Sequence, residues 1–217
     1  MSPLPADALP AGRETGLFLH RLLELAPLPA RDEAFEAWAD ASATQAGLAT
    51  ASGEFGLASA HHAQALRLAF NALMQPLALG RAPTPLARAD KLARELAFMT
   101  PLQPAAARSD MMVGVLDVLC EVEGRLWVID YKSDVASGAD LRAAGAYVAT
   151  HYGWQKMIYT LAMLRLARVS DEATFAQRFG GIGFLFLRSG LFVAETPSWR
   201  EVTQWQARLA QQLEAAW

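Results

Sequence analysis

The chain has one cysteine, three lysines and no apolar run of the length that spans a bilayer. With Cys120 alone, no disulfide can close within the chain, and no zinc or iron–sulfur site built from several cysteines can form. A lone cysteine reads as a small buried hydrophobe in a reducing compartment, so a cytoplasmic location is expected. A bilayer crossing takes about 20 consecutive apolar residues. The N-terminus also lacks a basic-then-apolar leader, so no membrane partner is expected. No Gly-x-x-x-x-Gly-Lys-[Ser/Thr] phosphate loop occurs, so the chain carries no such nucleotide site and any ATP-driven step belongs elsewhere. Positive charge is not in excess either: 19 basic against 22 acidic side chains leave a net charge of −3. That balance argues against gripping nucleic acid by bulk electrostatics, though not against receiving it from a partner. No internal repeat or low-complexity tract is found.

What is present suffices for a core. At 217 residues, 53% hydrophobic and 19% charged, the chain has the size and composition of one folded domain. The Pro-, Ala- and Gly-rich residues 1–13 read as a lead-in segment or linker, and 14–217 as a single domain.

Two apolar runs, each ending in an acid, stand out. Val113-Gly114-Val115-Leu116-Asp117 is followed by Val128-Ile129-Asp130-Tyr131-Lys132-Ser133, with Glu121-Val122-Glu123-Gly124-Arg125 between them. Gly124 suits a tight hairpin turn, because glycine takes positive φ without penalty. A two-residue turn on Glu123 and Gly124 makes opposed residue numbers sum to 247. Val122 then faces Arg125, Leu119 faces Val128, and Asp117 faces Asp130. Alternation along the strand puts Lys132 on the face of Asp130. Two carboxylates opposed among Val, Leu, Ile and Trp repel one another. A bound cation with a taste for hard oxygen ligands, Mg²⁺ or Mn²⁺, removes the conflict. A register slipped by one residue, or one protonated acid, would remove it too. Against only two other lysines and sixteen arginines, Lys132 two positions after an acid is not background composition.

Elsewhere the pattern predicts helices at 15–26, with Leu19, Leu22, Leu23 and Ala26 buried, and at 31–46, carrying Phe35 and Trp38 and stopping at Gly47. A third starts near Ser59 and carries Leu66, Phe70 and Leu73. Residues 92–99 read as a strand containing Glu95, and 134–140 as a loop. Helices follow at 141–150 and 151–168, the second with a row of Tyr152, Gln155 and Tyr159. Residues 180–187 form a buried strand and 191–194 its hairpin mate. A C-terminal helix aligns Val202, Trp205, Leu209 and Leu213. The order predicts an α/β fold: a mixed sheet with helices on its faces and an N-terminal helical layer. His61 and His62 read as surface residues, and the six tryptophans as packing residues.

These residues together resemble the RecB-type nucleases, a branch of the PD-(D/E)XK superfamily. The matches run in order from Gly16 to Arg188. They are Gly16-Leu17-Phe18-Leu19-His20 with Glu24, Arg94-Glu95-Leu96 with Phe98, and Gly114-Val115-Leu116-Asp117. Ile129-Asp130-Tyr131-Lys132-Ser133, Gln155 with Tyr159, and Gly180-Gly181 leading into Phe184-Leu185-Phe186-Leu187-Arg188 complete the series. The series looks most like the nuclease domain at the C-terminal end of RecB proteins. Leu116 departs from it, standing where the family has proline, and the cysteines of the iron–sulfur relatives are absent.

The resemblance implies a restriction-endonuclease-like fold and Mg²⁺-dependent hydrolysis of DNA phosphodiesters, with Mn²⁺ or Ca²⁺ as substitutes in binding. It implies metal ligation by His20, Asp117, Asp130 and the Tyr131 carbonyl, with Asp117, Asp130 and Lys132 as the catalytic set. Lys132 would orient or deprotonate the attacking water. Glu95 would be an outer-shell acid, while Gln155 and Tyr159 would position the DNA backbone or the catalytic loop. Glu24 reads as a solvated or ion-paired acid. The implied setting is exonuclease and endonuclease action on single-stranded DNA, in double-strand-break end processing and recombinational repair. The implied partners are the helicase portion of RecB and RecC- and RecD-like subunits. Two alternatives stay open: a catalytically silent nuclease-fold module that docks DNA or partner subunits, and a stand-alone endonuclease of phage or defence origin.

Overall fold

The computed structural model describes residues 9–47, 58–101, 111–134 and 140–214, the side chains of the last three of these excepted. Three helices come first: α1 (Arg13–Leu25), α2 (Phe35–Gln45) and α3 (His62–Met74). Strands β1 (Lys91–Pro101), β2 (Met111–Val122) and β3 (Arg125–Lys132) follow. Helices α4 (Leu141–His151), α5 (Gly153–Leu166) and α6 (Glu172–Arg178) lead to β4 (Phe179–Phe186), β5 (Leu191–Glu195) and α7 (Trp199–Glu214).

The strands form one sheet in the order β1-β2-β3-β4-β5. Only β3 and β4 pair in parallel, their connection running through α4, α5 and α6; the other neighbours are antiparallel. A parallel pair needs such a crossover, and its covered strands lose their polar face. All eight residues of β4 are accordingly buried. The fold is the expected α/β mixed sheet. On one face α1, α2 and α3 pack Phe18, Leu22, Trp38 and Leu73 against Val118, Cys120, Ile129 and Leu185. On the other, α4, α5, α6 and α7 pack Val148, Leu161, Phe175 and Val202 against Val128, Ile182, Phe184 and Phe186.

The β2–β3 hairpin has the register expected of it. Val122 pairs with Arg125, Leu119 with Val128 and Val118 with Ile129. Glu123 (φ 50°) and Gly124 (φ 75°) both lie in the left-handed region, as the turn type that fits the twist of paired strands demands. The ladder ends at Val118 and Ile129, just before the two acids would meet across it.

A second irregularity lies in β1. Even-numbered Leu92 belongs to the first core, while Leu96 and Phe98 belong to the second. On β2, Val118, Cys120 and Val122 face the first core and Met112 and Leu116 the second. A regular strand keeps even numbers on one face, so both strands exchange faces at one level. Glu95 sits there with φ 48°, a left-handed backbone inside a strand. The flanking pairs Arg94↔Val118 and Leu96↔Leu116 place Glu95 across from Asp117.

Several expectations need correction. Helix α2 begins at Phe35, not Arg31, because the Glu33 carboxylate accepts the Ala30 N–H at 2.8 Å and holds residues 30–33 in a turn. Helix α6 has no counterpart in the sequence reading, although Asp171 caps it by accepting the Thr174 N–H at 2.8 Å. His61 and His62 are half-buried, and the His62 ring stacks on Phe18. Trp154 is 54% exposed instead of packed. Residues 1–8 of the lead-in and 135–139 of the predicted loop lie outside the described residues, as does the Leu213 side chain. Within the lead-in, Leu9 is fully buried.

Gly183, in the middle of β4, shows how tightly the sheet is packed. A β-carbon there would fall 2.2 Å from Phe192 and 3.0 Å from Ile129. Gly183→Ala is expected to cost about 1–3 kcal/mol of stability through overpacking, read by denaturant unfolding. Adding Phe192→Leu should recover part of the loss; a neutral Gly183→Ala would contradict this packing.

Candidate active site

The two strand irregularities meet at one place. Where the β2–β3 ladder stops, Asp117 uses its side chain in place of its backbone: Oδ2 accepts the Tyr131 N–H at 2.7 Å. The other oxygen, Oδ1, lies 3.4 Å from His20 Nδ1, and Glu95 Oε1 lies 3.7 Å from the same nitrogen. His20 comes from α1, the helix the Leu19, Leu22 and Leu23 stripe fastens to the first core. His20, Glu95 and Asp117 each offer one ligand atom, all within 4.8 Å of one another. Glu95, which the resemblance places in an outer shell, is one of these three. Its left-handed backbone is the feature that turns its carboxylate to the histidine, and nothing in the sequence signals it.

Asp130 and Lys132 share a face of β3 as expected. Lys132 Nζ lies 2.6 Å from Asp130 Oδ2. It donates a hydrogen bond to Gln155 Oε1 at 2.8 Å, and Gln155 Nε2 donates to Asp130 Oδ1 at 2.6 Å. The approach of Nζ to Asp130 Oδ2 falls outside hydrogen-bond geometry, so this buried oxygen lacks a hydrogen-bond partner. Below the ammonium lies the Tyr152 ring, 3.9 Å from Nζ and stacked on Phe184. The Tyr152 hydroxyl donates to Asp134. The Tyr159 ring meets Phe98 edge-on, and its phenol lies near enough to Gln155 for the amide to bear on its titration. Tyr152 and Gln155 of the row are therefore aimed at β3, Gln155 at the Asp130–Lys132 pair directly, and Tyr159 at Phe98 of β1. Tyr152 was visible as a member of that row, but its role as a floor for the lysine was not. The Tyr131 side chain points the other way, buried at 3% exposure in the first core. Glu24 pairs with Arg21 at 2.6 Å and stays outside the group.

The electrostatics follow from burial and sign. Burial alone would lower the pKa of His20, but the close approach of the Asp117 and Glu95 carboxylates and the charges of Asp117 and Asp130 outweigh it, raising the group from 6.5 to about 10. Asp130 is held well above the usual carboxylate range by burial and then by the charge of Asp117, with Lys132 and His20 opposing. Burial and the Asp130 charge push the Tyr159 phenol up to about 12. A protonated imidazole is thus the cation that Glu95 and Asp117 share, and Asp130 Oδ2, ion-paired with Lys132 but without a hydrogen bond, lies in the same electrostatic neighbourhood. An imidazole and several hard carboxylate oxygens are the donors a small divalent cation prefers, so the residues present fit such an ion.

The chain matches the PD-(D/E)XK nuclease superfamily over residues 3–216. It belongs to that superfamily. Among curated proteins it is similar to the RecBCD enzyme subunit RecB of Haemophilus influenzae, 34% identical over 107 residues, which are 43% of this chain and 9% of that protein. It is also similar to the RecBCD enzyme subunit RecB of Escherichia coli, 32% identical over 123 residues, 54% of this chain and 10% of the relative. The matched region thus spans about a tenth of those relatives' length. Among the described residues no helix is long and apolar enough to cross a membrane.

Two outcomes follow. The folded chain holds the His20 proton up to about pH 10, whereas the unfolded chain releases it near 6.5, and folded Asp130 likewise keeps its proton above its ordinary range. The metal-free fold therefore binds more protons than the unfolded chain, and its stability falls as pH rises. The His20 contribution is complete below pH 6.5 and gone above 10. Melting in EDTA should drop between pH 6 and pH 9, while Mn²⁺ should raise it most at the alkaline end and release protons into weak buffer. A melting temperature that climbs with pH in EDTA would contradict this. Glu95→Gln should weaken Mn²⁺ binding by about 10–100-fold by calorimetry, the range for losing a supporting or direct metal contact; unchanged affinity would make Glu95 a bystander.

Proposed function

We propose that this chain is a Mg²⁺-dependent DNA nuclease domain of RecB type, cutting single-stranded DNA that a helicase delivers during double-strand-break end processing and recombinational repair. The convergence of His20, Glu95 and Asp117 beside the Asp130–Lys132 pair carries the reading. His20, Asp117, Asp130 and the Tyr131 carbonyl would hold the cation, with Glu95 placed to join them. When bound, Mg²⁺ would acidify water and polarise the phosphoryl oxygen.

The chain's own residues supply the rest. To serve as a ligand His20 would have to give up its proton, exposing a ring-nitrogen lone pair. Gln155 holds the Asp130 carboxylate and the Lys132 ammonium in fixed relation, so neither must reorganise during the reaction. Lys132, over the Tyr152 ring and 13% exposed at its side chain, is placed to stabilise charge on the phosphate or to take part in moving the proton of the attacking water. Tyr159, one turn along the same helix, would position the DNA backbone or the catalytic loop.

The names of the relatives support the setting. Both are subunits of a RecBCD enzyme, so the motor portion of RecB and RecC- and RecD-like subunits are the proposed partners. Delivery by a translocating neighbour is compatible with a net charge of −3, since the domain then has no need of a broad basic surface.

Labelled single- and double-stranded DNA, incubated with Mg²⁺ or with EDTA, tests this. Cleavage should require the cation and favour single strands. Lys132→Ala should lower kcat by about 10²–10³-fold, as removal of a charge-stabilising group does, and Asp130→Ala should abolish cleavage with the fold intact. DNA binding with no cleavage in Mg²⁺ or Mn²⁺ would identify a silent module instead.

A further inference from the structure

Arg188 follows β4 and reaches none of the residues assigned above, yet it joins the two pieces of chain that carry them. Its Nε donates to the Ser133 carbonyl at 2.9 Å. Nη1 donates to the Leu9 carbonyl at 2.9 Å and Nη2 to the Pro10 carbonyl at 2.6 Å. Ser133 immediately follows Lys132, and residues 9 and 10 lead directly into α1, the helix of His20. One planar guanidinium therefore spans the exit of the catalytic strand and the approach to the histidine helix.

Two neighbouring contacts tighten the same junction. The Leu187 N–H donates to the Lys132 carbonyl at 2.8 Å. Gly16 lies so close to Ser133 that a β-carbon would fall 2.8 Å from its Oγ. Gly16 and His20 are one helical turn apart, so the face of α1 that touches Ser133 is also the face that presents the imidazole. A shift of residues 9 and 10 would move α1 and the end of β3 relative to each other. The alignment between Lys132 and His20 would change with it.

We propose that Arg188 is a positioning residue, a clip that sets the Lys132 end of β3 against the His20 helix and ties both to the chain preceding α1. The inference rests on the nuclease reading for its effect on cleavage, but not for its effect on geometry. Three parallel demands on one flat group distinguish arginine from lysine, whose ammonium is a single point charge on a flexible stem.

The test uses the full 217-residue chain with Arg188→Ala and Arg188→Lys. Both variants should melt cooperatively. With saturating Mn²⁺ and single-stranded DNA, kcat should fall about 100-fold in both, the loss that misplacement by an ångström produces, while KM stays within about twofold. Millimolar guanidinium should restore kcat in Arg188→Ala and not in Arg188→Lys. Hydrogen exchange should rise about tenfold at residues 13–20 and 131–134 in both variants, with β4 unchanged. Wild-type kcat in Arg188→Lys would overturn the clip. So would a loss that tracks thermal stability and ignores guanidinium. If the unaltered chain cuts no DNA under any metal, the nuclease reading falls; exchange at the two segments still decides the clip, and no change there overturns it.

Discussion

Glu95, Asp117 and Asp130 bring negative charge to one partly desolvated corner, and the surrounding structure is arranged to tolerate it. In the metal-free chain two cations do so: the His20 imidazolium between Glu95 and Asp117, and the Lys132 ammonium beside Asp130. Burial of like charges is costly unless they are paired, and here the pairing is provided by groups that a nuclease also needs. The raised affinity of His20 for its proton measures how strongly the site wants a positive charge. A divalent ion would answer the same demand with one more unit of charge than the proton it replaces.

The backbone delivers this cluster by breaking its own regularity. A continuous β2–β3 ladder would keep Asp117 in an ordinary strand position, whereas the ladder ends at Val118 and Ile129 and the carboxylate takes the Tyr131 N–H. The exchange of faces on β1 and β2, at left-handed Glu95, lets the hairpin lean on one core at its base and the other at its tip. Strain of this kind persists where neighbouring contacts over-determine it. Here the flanking pairs and both cores do so, while α1 and α5 bring His20 and Gln155 to opposite sides of the break.

Much of this was legible from residue order. Gly124 and the period-two runs fixed the hairpin register. The leucine spacing of α1 gave that helix its buried stripe, and the apolar run at 180–187 announced a covered strand. The row Tyr152, Gln155 and Tyr159 was visible, though what it touches was not, because helix periodicity gives a face and no target. The place of Glu95 beside His20 was not legible, since a glutamate carries no sign of positive φ. The start of α2 was missed because a side chain, Glu33, outcompeted helix propensity locally. The parallel β3–β4 pair and the Arg188 junction join segments far apart in sequence, which no local pattern encodes.

On this reading these side chains form one cation site. Manganese soaked into crystals of the full chain at pH 8, located by anomalous diffraction, addresses it most directly. One principal peak is expected, held by His20, Asp117 and Asp130, with the Tyr131 carbonyl or Glu95 completing the sphere. Manganese bound elsewhere, or His20 still bridging Glu95 and Asp117 at saturating metal, would contradict it.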